Sequence, residues 1–561
     1  MPSVNGCRIC AGSLQLLYSG SEEELTPDRF APAAHRPGAH GDLYRCAECG
    51  TVQQPSLPAS EELHDLYRRM RDDRYLEEEE GRRRSARSLL DRLAPHVESG
   101  RLLDIGCGHG LLLDEARRRG YDVLGLELSR DGIRHARDVL HLPVLESSLE
   151  QAALEPGSFD AIVMVDVFEH LKDPKAALER CHELLAPGGT LVLVTPDPSS
   201  LTARLAGARW WSYLLAHHCL VPRVTVRELL AARGLVRVAE HPYVRVFSYG
   251  YWLAGLAERA GPSSALIRRL ERRLGDRALL ALAMRDDWTY IVRRIDVLKP
   301  ARPLASDRGG TVKVHAVIPA HNAERTIERV ARALPLGAID RALVVDDASG
   351  DATIATALAA GLEVLAHPTN RGYGANQKTC YVRAALDGAD VVVMVHGDNQ
   401  YDPALVTEMV KAIQEGRADV VIGSRLLDDQ AIAGGMPHWK WIGNRALTWV
   451  ENAAFRRDYS EYHTGYRAFS MDFLRSIPFL RNSDGFVFDQ EIFVQIVGSS
   501  ARVVELAIPT RYFLEASSVS FRESVSYGIK TLVLLVRFRA DARRPRWLLL
   551  RRPATSLEPL T

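Results

Sequence analysis

No run of about 18 apolar residues occurs anywhere in the 561-residue chain, so no segment is expected to span a bilayer. An excess of charge of one sign is lacking too: 71 Lys and Arg balance 71 Asp and Glu, which excludes a protein basic throughout and argues against a nucleic-acid partner. Cysteine is scarce at eight residues, too few for a disulfide scaffold in a chain this long. The opening MPSVNGCRIC has neither the charged start nor the apolar core of a secretory signal, so the expected location is cytoplasmic. What remains is ordinary globular composition, 46% apolar and 25% charged, in a length that accommodates three or four domains.

Four of the cysteines form two pairs, Cys7-x-x-Cys10 and Cys46-x-x-Cys49. A CxxC turn lets two thiolates face one ion, and two such turns complete a tetrahedral zinc site with zinc–sulfur distances of about 2.3 Å. The separation between the pairs exceeds the usual ribbon spacing and is read as a loop. Gly6, Tyr44 and Gly50 flank the turns, and the segment has too little apolar material to fold without metal. Residues 1–56 are therefore expected to form a zinc ribbon, structural because four thiolates leave no open coordination position. A redox CxxC is the alternative. Next, Glu78, Glu79 and Glu80 stand four residues before Arg82, Arg83 and Arg84, which predicts a helix with a solvated, salt-bridged face. Leu89, Leu90 and Leu93 continue it until Pro95.

Arg101 begins RLLDIGCGHG, a short apolar strand that ends in a turn containing Gly106, Gly108 and Gly110 before an apolar helix. Glycines there allow a nucleoside to approach the backbone and permit angles closed to other residues. A second strand, DVLGLEL, ends near Glu127, 23 residues after Asp104, the spacing expected of an acid that takes ribose hydroxyls. A third strand follows in FDAIVMVDVFEHL and a fourth in TLVLVTPD. A nicotinamide dinucleotide fold shares the glycine turn, but Asp104 and GCGHG fit a cofactor without phosphate better.

This ordered set, over about residues 67–295, resembles the class I S-adenosylmethionine-dependent methyltransferases. The resemblance implies a Rossmann-like domain, here 57–298, with S-adenosylmethionine held by Asp104, Gly106, Gly108, Gly110, Glu127, Ser148 and Asp166. Relatives carry an acid after the third strand for the adenine amine, where this chain has Ser147 and Ser148. The cysteine module ahead of such a domain is similar to that of sugar-modifying methyltransferases, which implies a glycan or nucleotide-sugar acceptor. Methyl transfer to oxygen or carbon needs a base. His217 and His218 are the candidates, with His170 expected to pack on the cofactor side.

KPARPLASDRGG, residues 299–310, has linker composition. Beyond it, the apolar strands in VKVHAVIPAHNAE, RALVVDDASGD and ADVVVMVHGDNQYDP each end in polar residues, as in a parallel sheet whose carboxyl edge binds ligand. Asp398 and Gln400, two positions apart, offer oxygen ligands to a divalent cation, and Asp346 and Asp347 offer acceptors to a base or ribose.

With NRGYGANQK, GSR, TGYRAFS and FDQE, these motifs resemble the family 2 glycosyltransferases of GT-A fold, in particular the polyprenyl-phosphate sugar transferases similar to dolichol-phosphate mannose synthase. The resemblance covers about residues 311–535 and implies a domain over 311–540. It assigns Pro319, Ala320, Asn322, Glu324, Asp346, Asp347 and Lys378 to the nucleotide-sugar donor, Asp398 and Gln400 to the metal, and Arg467 to the phosphate region. His396 replaces the aspartate that opens the metal loop in many relatives, a change that suits Mn2+ better than Mg2+. Asp489 is the candidate base for a hydroxyl acceptor, with Glu491 second; a lipid-phosphate acceptor needs none. The fold class is thus α/β: a zinc ribbon, a methyltransferase domain and a GT-A domain. The implied function is methylation and glycosylation in glycan or glycolipid assembly. In the alternative, the second domain only binds carbohydrate or lipid phosphate.

Ile529, Leu532, Val533 and Val536 fall at helical spacing, and seven arginines between 537 and 552 face a single acid, Asp541. With Trp547 and residues 548–550, this predicts an amphipathic helix and a basic tail, 541–561, in peripheral contact with an anionic membrane.

Overall fold

The unalternating apolar runs become strands covered on both faces, and those strands organise two compact units, Met1–Arg294 and Ile295–Thr561. The computed structural model describes residues 6–20, 26–30, 40–54, 58–72, 74–253, 278–304, 312–428, 432, 435–509, 521–541, 547–555 and 557.

The first unit is built on β4 (Arg101–Ile105), β5 (Asp122–Glu127), β6 (Val144–Glu146), β7 (Phe159–Val165), β8 (Leu185–Pro196), β10 (Leu235–Pro242) and β13 (Asp287–Arg294). Their spatial order is β10-β13-β8-β7-β4-β5-β6, parallel from β6 to β8 and antiparallel through β13 and β10. The order reverses between β4 and β7, and such a switch point opens a crevice at the carboxyl ends of the strands. Residues 191–194 of β8 are fully buried, as are Ala161 and Ile162 of β7. A second sheet joins β1 (Leu14–Tyr18), β2 (Leu43–Cys46) and β3 (Val52–Gln53) to β9 (Cys219–Leu220). The cysteine ribbon therefore shares a sheet, and one compact unit, with the segment that carries His217 and His218.

The helix Glu79–Leu93 forms where the charge spacing predicts it, with Arg83 on Glu79 at 2.8 Å and Arg84 on Glu80 at 2.9 Å. Its expected solvated face is corrected at Arg83, which is buried and reaches Asp114 at 2.8 Å and Glu115 at 3.2 Å. Two nearly buried acids on the helix Leu111–Arg118 require that counter-charge, and the sequence spacing does not reveal them.

The second unit orders its strands β16-β15-β14-β17-β19-β18-β20. These are β14 (Val314–Ala320), β15 (Arg341–Asp346), β16 (Glu363–Ala366), β17 (Val391–Met394), β18 (Val420–Ser424), β19 (Arg467–Ser470) and β20 (Val503–Ala507). β16, β15, β14 and β17 run parallel, and β19 is antiparallel to both its neighbours. The segment with linker composition starts on this unit: Leu298 pairs with Val364 through both backbone hydrogen bonds, and the Leu304 N–H donates to the Gly361 carbonyl. Residues 305–310 lie outside the described residues.

In the C-terminal tail, Trp547 and the described apolar residues around it pack against the protein. Trp547, Leu549, Ala554 and Leu557 are buried, Arg537 lies over the Trp547 ring at 4.9 Å, and Arg475 donates to the Leu557 carbonyl. Residues 542–546 lie outside the described residues. Among the described residues no helix is long and apolar enough to cross a membrane.

Each unit has its own core, so Leu193→Ala, at a fully buried position of β8, is expected to cost about 2–5 kcal/mol. In urea unfolding followed by unit-specific hydrogen exchange, the first unit's transition should move to lower denaturant while that of the second stays in place.

Candidate functional site

The Cys7, Cys10, Cys46 and Cys49 sulfurs lie within 4.8 Å of one another, with 3.6 Å between Cys7 and Cys49 and 3.4 Å between Cys10 and Cys46. Tetrahedral zinc–sulfur bonds of about 2.3 Å place sulfurs about 3.8 Å apart. The four thiolates therefore fit one zinc ion. Tight turns set their spacing, with the Ala11 N–H on the Cys7 carbonyl at 2.7 Å and the Gly50 N–H on that of Cys46 at 3.1 Å.

The glycine turn follows β4 at the switch point. Gly106, Gly108 and Gly110 have φ of 72°, 53° and 82°, and a Cβ on Gly106 would stand 2.4 Å from a Val167 methyl. No other residue fits there. Glu127, closing β5, accepts the N–H groups of Gly108, Leu128 and Ser129, each at 2.7 Å. Burial raises its pKa against the pull of those donors. Burial and then Glu127 push the Asp104 carboxyl well above its ordinary range. Ser148 presents a buried hydroxyl without a hydrogen-bond partner, at the position expected for adenine. A glycine cradle, a carboxylate for ribose hydroxyls and an orphaned hydroxyl together fit S-adenosylmethionine. Tyr75 stacks on His109 at 4.4 Å, with Arg82 at 3.8 Å from the Tyr75 ring and the position of a Cβ on Gly108 3.7 Å from the Tyr75 hydroxyl. The sequence reading missed Tyr75 because its charged neighbours read as a solvated surface.

Asp166 is corrected: Arg245 takes both carboxylate oxygens at 2.8 Å and also reaches Asp287 at 2.7 Å. Burial works to raise the Asp166 pKa, and the Arg245 guanidinium overrides it to hold the group below its ordinary value. A half-buried guanidinium claims the carboxylate expected on the cofactor. His218 is corrected as a base. It is 1% exposed, neither ring nitrogen has a hydrogen-bond partner, and burial first, then His170, pulls its pKa down to about 3. The His217 ring meets that of His170 edge to face at 4.6 Å, and its Nδ1 lies 2.7 Å from the Ser212 carbonyl. The His170 Nδ1 is 2.8 Å from the Tyr67 hydroxyl, and Glu169 accepts from Thr195 at 3.0 Å. Glu169, His170 and His217 converge within 4.8 Å, a group able to pass a proton.

In the second unit, the loops after β14 and β15 interlock. The Asn322 N–H donates to the Ser349 hydroxyl at 2.8 Å, and the Asn322 and Glu324 side chains accept the Gly350 and Ala352 N–H groups at 2.9 and 3.1 Å. Pro319 and Ala320 end β14, and Asp346, fully buried, accepts the Ser349 N–H at 2.9 Å. Asp347 accepts the N–H groups of Arg371 and Gly372 at 2.9 and 2.8 Å and meets the His367 Nδ1 at 2.7 Å. Burial works to raise its pKa, but His367 and these donors hold it below the ordinary range.

In the metal loop, the His396 Nε2 is buried without a partner, and the Asp398 carboxylate accepts the Gln400 N–H at 3.1 Å. The nitrogen of His396, the carboxylate of Asp398 and the amide of Gln400 are donor types that would suit a divalent cation. A Cβ on Gly465 would stand 2.2 Å from the His396 Nε2, so the loop requires glycine there. Arg467 is corrected: it is fully buried, and its guanidinium is taken up by Asp489 at 3.1 Å and by the Thr464 carbonyl. Gln377, which the sequence reading did not assign, donates to the same Asp489 oxygen, Oδ1, at 3.0 Å. Lys378 is corrected likewise, being tied to Asp484 at 2.8 Å and to the Asn482 carbonyl. Glu491 accepts the Ser483 N–H.

A family model described as a methyltransferase domain matches residues 78–240, and one described as glycosyl transferase family 2 matches residues 315–477. A ubiquinone biosynthesis O-methyltransferase of Xanthomonas campestris pv. campestris is 37% identical over 146 residues, covering 23% of this chain and 59% of the relative. The same-named enzyme of Psychrobacter cryohalolentis is 32% identical over 178 residues, covering 28% and 66%. The chain thus spans less than two thirds of the length of these relatives. Glucosyl-3-phosphoglycerate synthase of Mycobacterium tuberculosis, solved with Mn2+, uridine diphosphate and glucosyl-3-phosphoglycerate, aligns with a TM-score of 0.34 at 19% identity, over 41% of this chain and 81% of that one. The chain therefore carries, in sequence, a methyltransferase domain and a family 2 glycosyltransferase domain.

Proposed function

We propose that the protein is a bifunctional enzyme of glycan or glycolipid assembly. Its first unit moves a methyl group from S-adenosylmethionine to a sugar-like acceptor, and its second moves a sugar from a nucleotide sugar to a lipid-phosphate or glycan acceptor with inversion. The observation that supports this reading is that each unit places carboxylates and one partnerless polar atom at the carboxyl edge of its own parallel sheet. These are Asp104, Glu127 and Ser148 in one unit, and Asp347, His396 and Asp398 in the other.

In the first unit, S-adenosylmethionine supplies an electrophilic methyl group on a sulfonium. Glu127 orients the ribose, the glycine turn admits the nucleoside, and His217, beside His170, takes the acceptor's proton. In the second unit, His396, Asp398 and Gln400 would hold Mn2+ or Mg2+, which when bound would supply positive charge for a diphosphate leaving group. Asp347 braces the loop beside the donor, and Asp489, aligned by Arg467 and Gln377, takes the proton of a hydroxyl acceptor.

Gly106→Val is expected to abolish S-adenosylmethionine binding in calorimetry, because its side chain enters the space of Val167. In a nucleotide-sugar panel with Mn2+, Asp398→Ala should lower nucleoside diphosphate release by about 10²-fold or more. Release unaffected by that substitution would favour the second unit as a binding module.

A second reading, peripheral contact with an anionic membrane, is supported by two exposed apolar stripes. The helix His438–Phe455 exposes Trp439, Ile442 and Trp449, and the helix Phe521–Asp541 exposes Val525, Ile529, Leu532, Val533 and Val536. The helices meet through the Phe455 and Phe538 rings at 5.1 Å, and Lys440, Arg445, Lys530, Arg537 and Arg539 supply positive charge. The combined change Trp449→Ser, Ile529→Ser and Val533→Ser should remove co-flotation with phosphatidylglycerol-containing vesicles; flotation equal to that of the unmodified protein would contradict it.

A further inference from the structure

His217 sits on a stretch of chain, residues 210–218, that forms no helix and gains strand pairing only after it, at β9. Its buried carbonyls must find donors elsewhere. The ribbon supplies them. The Gln54 side-chain amide donates to the carbonyls of Leu214 at 3.2 Å, Leu215 at 2.7 Å and His217 at 2.9 Å. The Gln54 N–H donates to the His218 carbonyl at 3.3 Å, which also receives Arg8 Nη1 at 2.9 Å. Arg8 Nη2 donates to the Gln54 carbonyl at 2.9 Å, and the Arg8 N–H to the Gln53 side chain at 3.0 Å. Arg8 lies inside the first CxxC turn and Gln54 five residues beyond the second, so the geometry of the four thiolates fixes the position of both.

From the opposite side the His218 N–H donates to the Glu169 carbonyl at 2.8 Å, which joins the same loop to the Glu169–His170 segment. The glycine turn, by contrast, is held by β5: the Gly106 and Cys107 N–H groups reach the Leu126 carbonyl at 2.8 and 3.0 Å, and that of Gly108 reaches Glu127. The cofactor side and the acceptor side of the first unit thus have separate supports.

We infer that the cysteine ribbon is the wall that positions the methyl-acceptor side, with Gln54 as the positioning residue for His217. This rests on the reading of the first unit as a methyltransferase site between the glycine turn and His217. Ligation of the four cysteines sets Arg8 and Gln54, these set the 214–218 backbone, and that backbone sets the imidazole beside His170. Loss of the ribbon's grip leaves S-adenosylmethionine binding intact and releases His217.

The test uses the full-length zinc-loaded protein and Gln54→Met, which keeps the side-chain length and removes the donors. Zinc content is read by mass spectrometry and S-adenosylmethionine affinity by calorimetry. Amide hydrogen exchange is followed across 212–218, and the His217 imidazole by 15N NMR, assigned with His217→Gln. The expected result is full zinc content, an affinity changed by less than about threefold, exchange across 212–218 faster by about tenfold, and a His217 Nδ1 signal moved away from its hydrogen-bonded position. Unchanged exchange and an unchanged His217 signal with zinc retained would overturn the proposal. If Gln54→Met loses zinc, Arg8→Met gives the same readouts, and loss of zinc in both makes these residues folding elements and overturns the positioning role. Failure of the unmodified protein to bind S-adenosylmethionine would instead remove the methyltransferase reading, and is distinguished from the other outcomes by that measurement alone.

Discussion

A carboxylate at the end of a parallel strand, accepting the backbone N–H groups of the adjoining loop, is the constraint on which both units depend. Glu127 gathers three such donors around the glycine turn, and Asp347 gathers two, with His367, around the loop at residues 370–372. Loops at a sheet edge have few ladder bonds of their own, and an ionised acceptor makes the strongest substitute. The same atoms that fix loop shape leave a negative edge suited to ribose hydroxyls in one unit and to a cation-bound diphosphate in the other.

Arginine–carboxylate pairs form a second layer of order. Arg83 joins two helices through Asp114 and Glu115, Arg245 links Asp166 to Asp287, and Arg467 aligns Asp489. Arg245 takes up Asp166, and Arg467 is itself taken up in holding Asp489, which is why Asp166 and Arg467 do not serve the ligand contacts their motifs suggest. The chain's zero net charge therefore conceals paired interior charges as well as the basic surface of its C-terminal helix.

Much of this was legible in the sequence because strand-end motifs are contiguous. RLLDIGCGHG, VVDDAS and HGDNQYDP each contain both the strand and its functional turn, and the cysteine pairs announce their own geometry. Contacts between distant segments were not legible. Gln54 meets residues 214–217, Tyr67 meets His170, and Gln377 meets Asp489 across separations that no local pattern encodes. His218 misled because adjacent histidines look equivalent in sequence, whereas the backbone turns one ring toward His170 and buries the other. The ribbon looked autonomous for a similar reason: its fourth strand, Cys219–Leu220, comes from far along the chain.

The proposal that one chain both methylates and glycosylates material of the same pathway is tested most directly by mass spectrometry of lipid-linked glycans from cells with and without the protein, which reads both increments together. Deletion is expected to remove a glycosyl increment and a methyl increment, and Asp398→Ala the glycosyl increment. A glycan profile unchanged by deletion would contradict it.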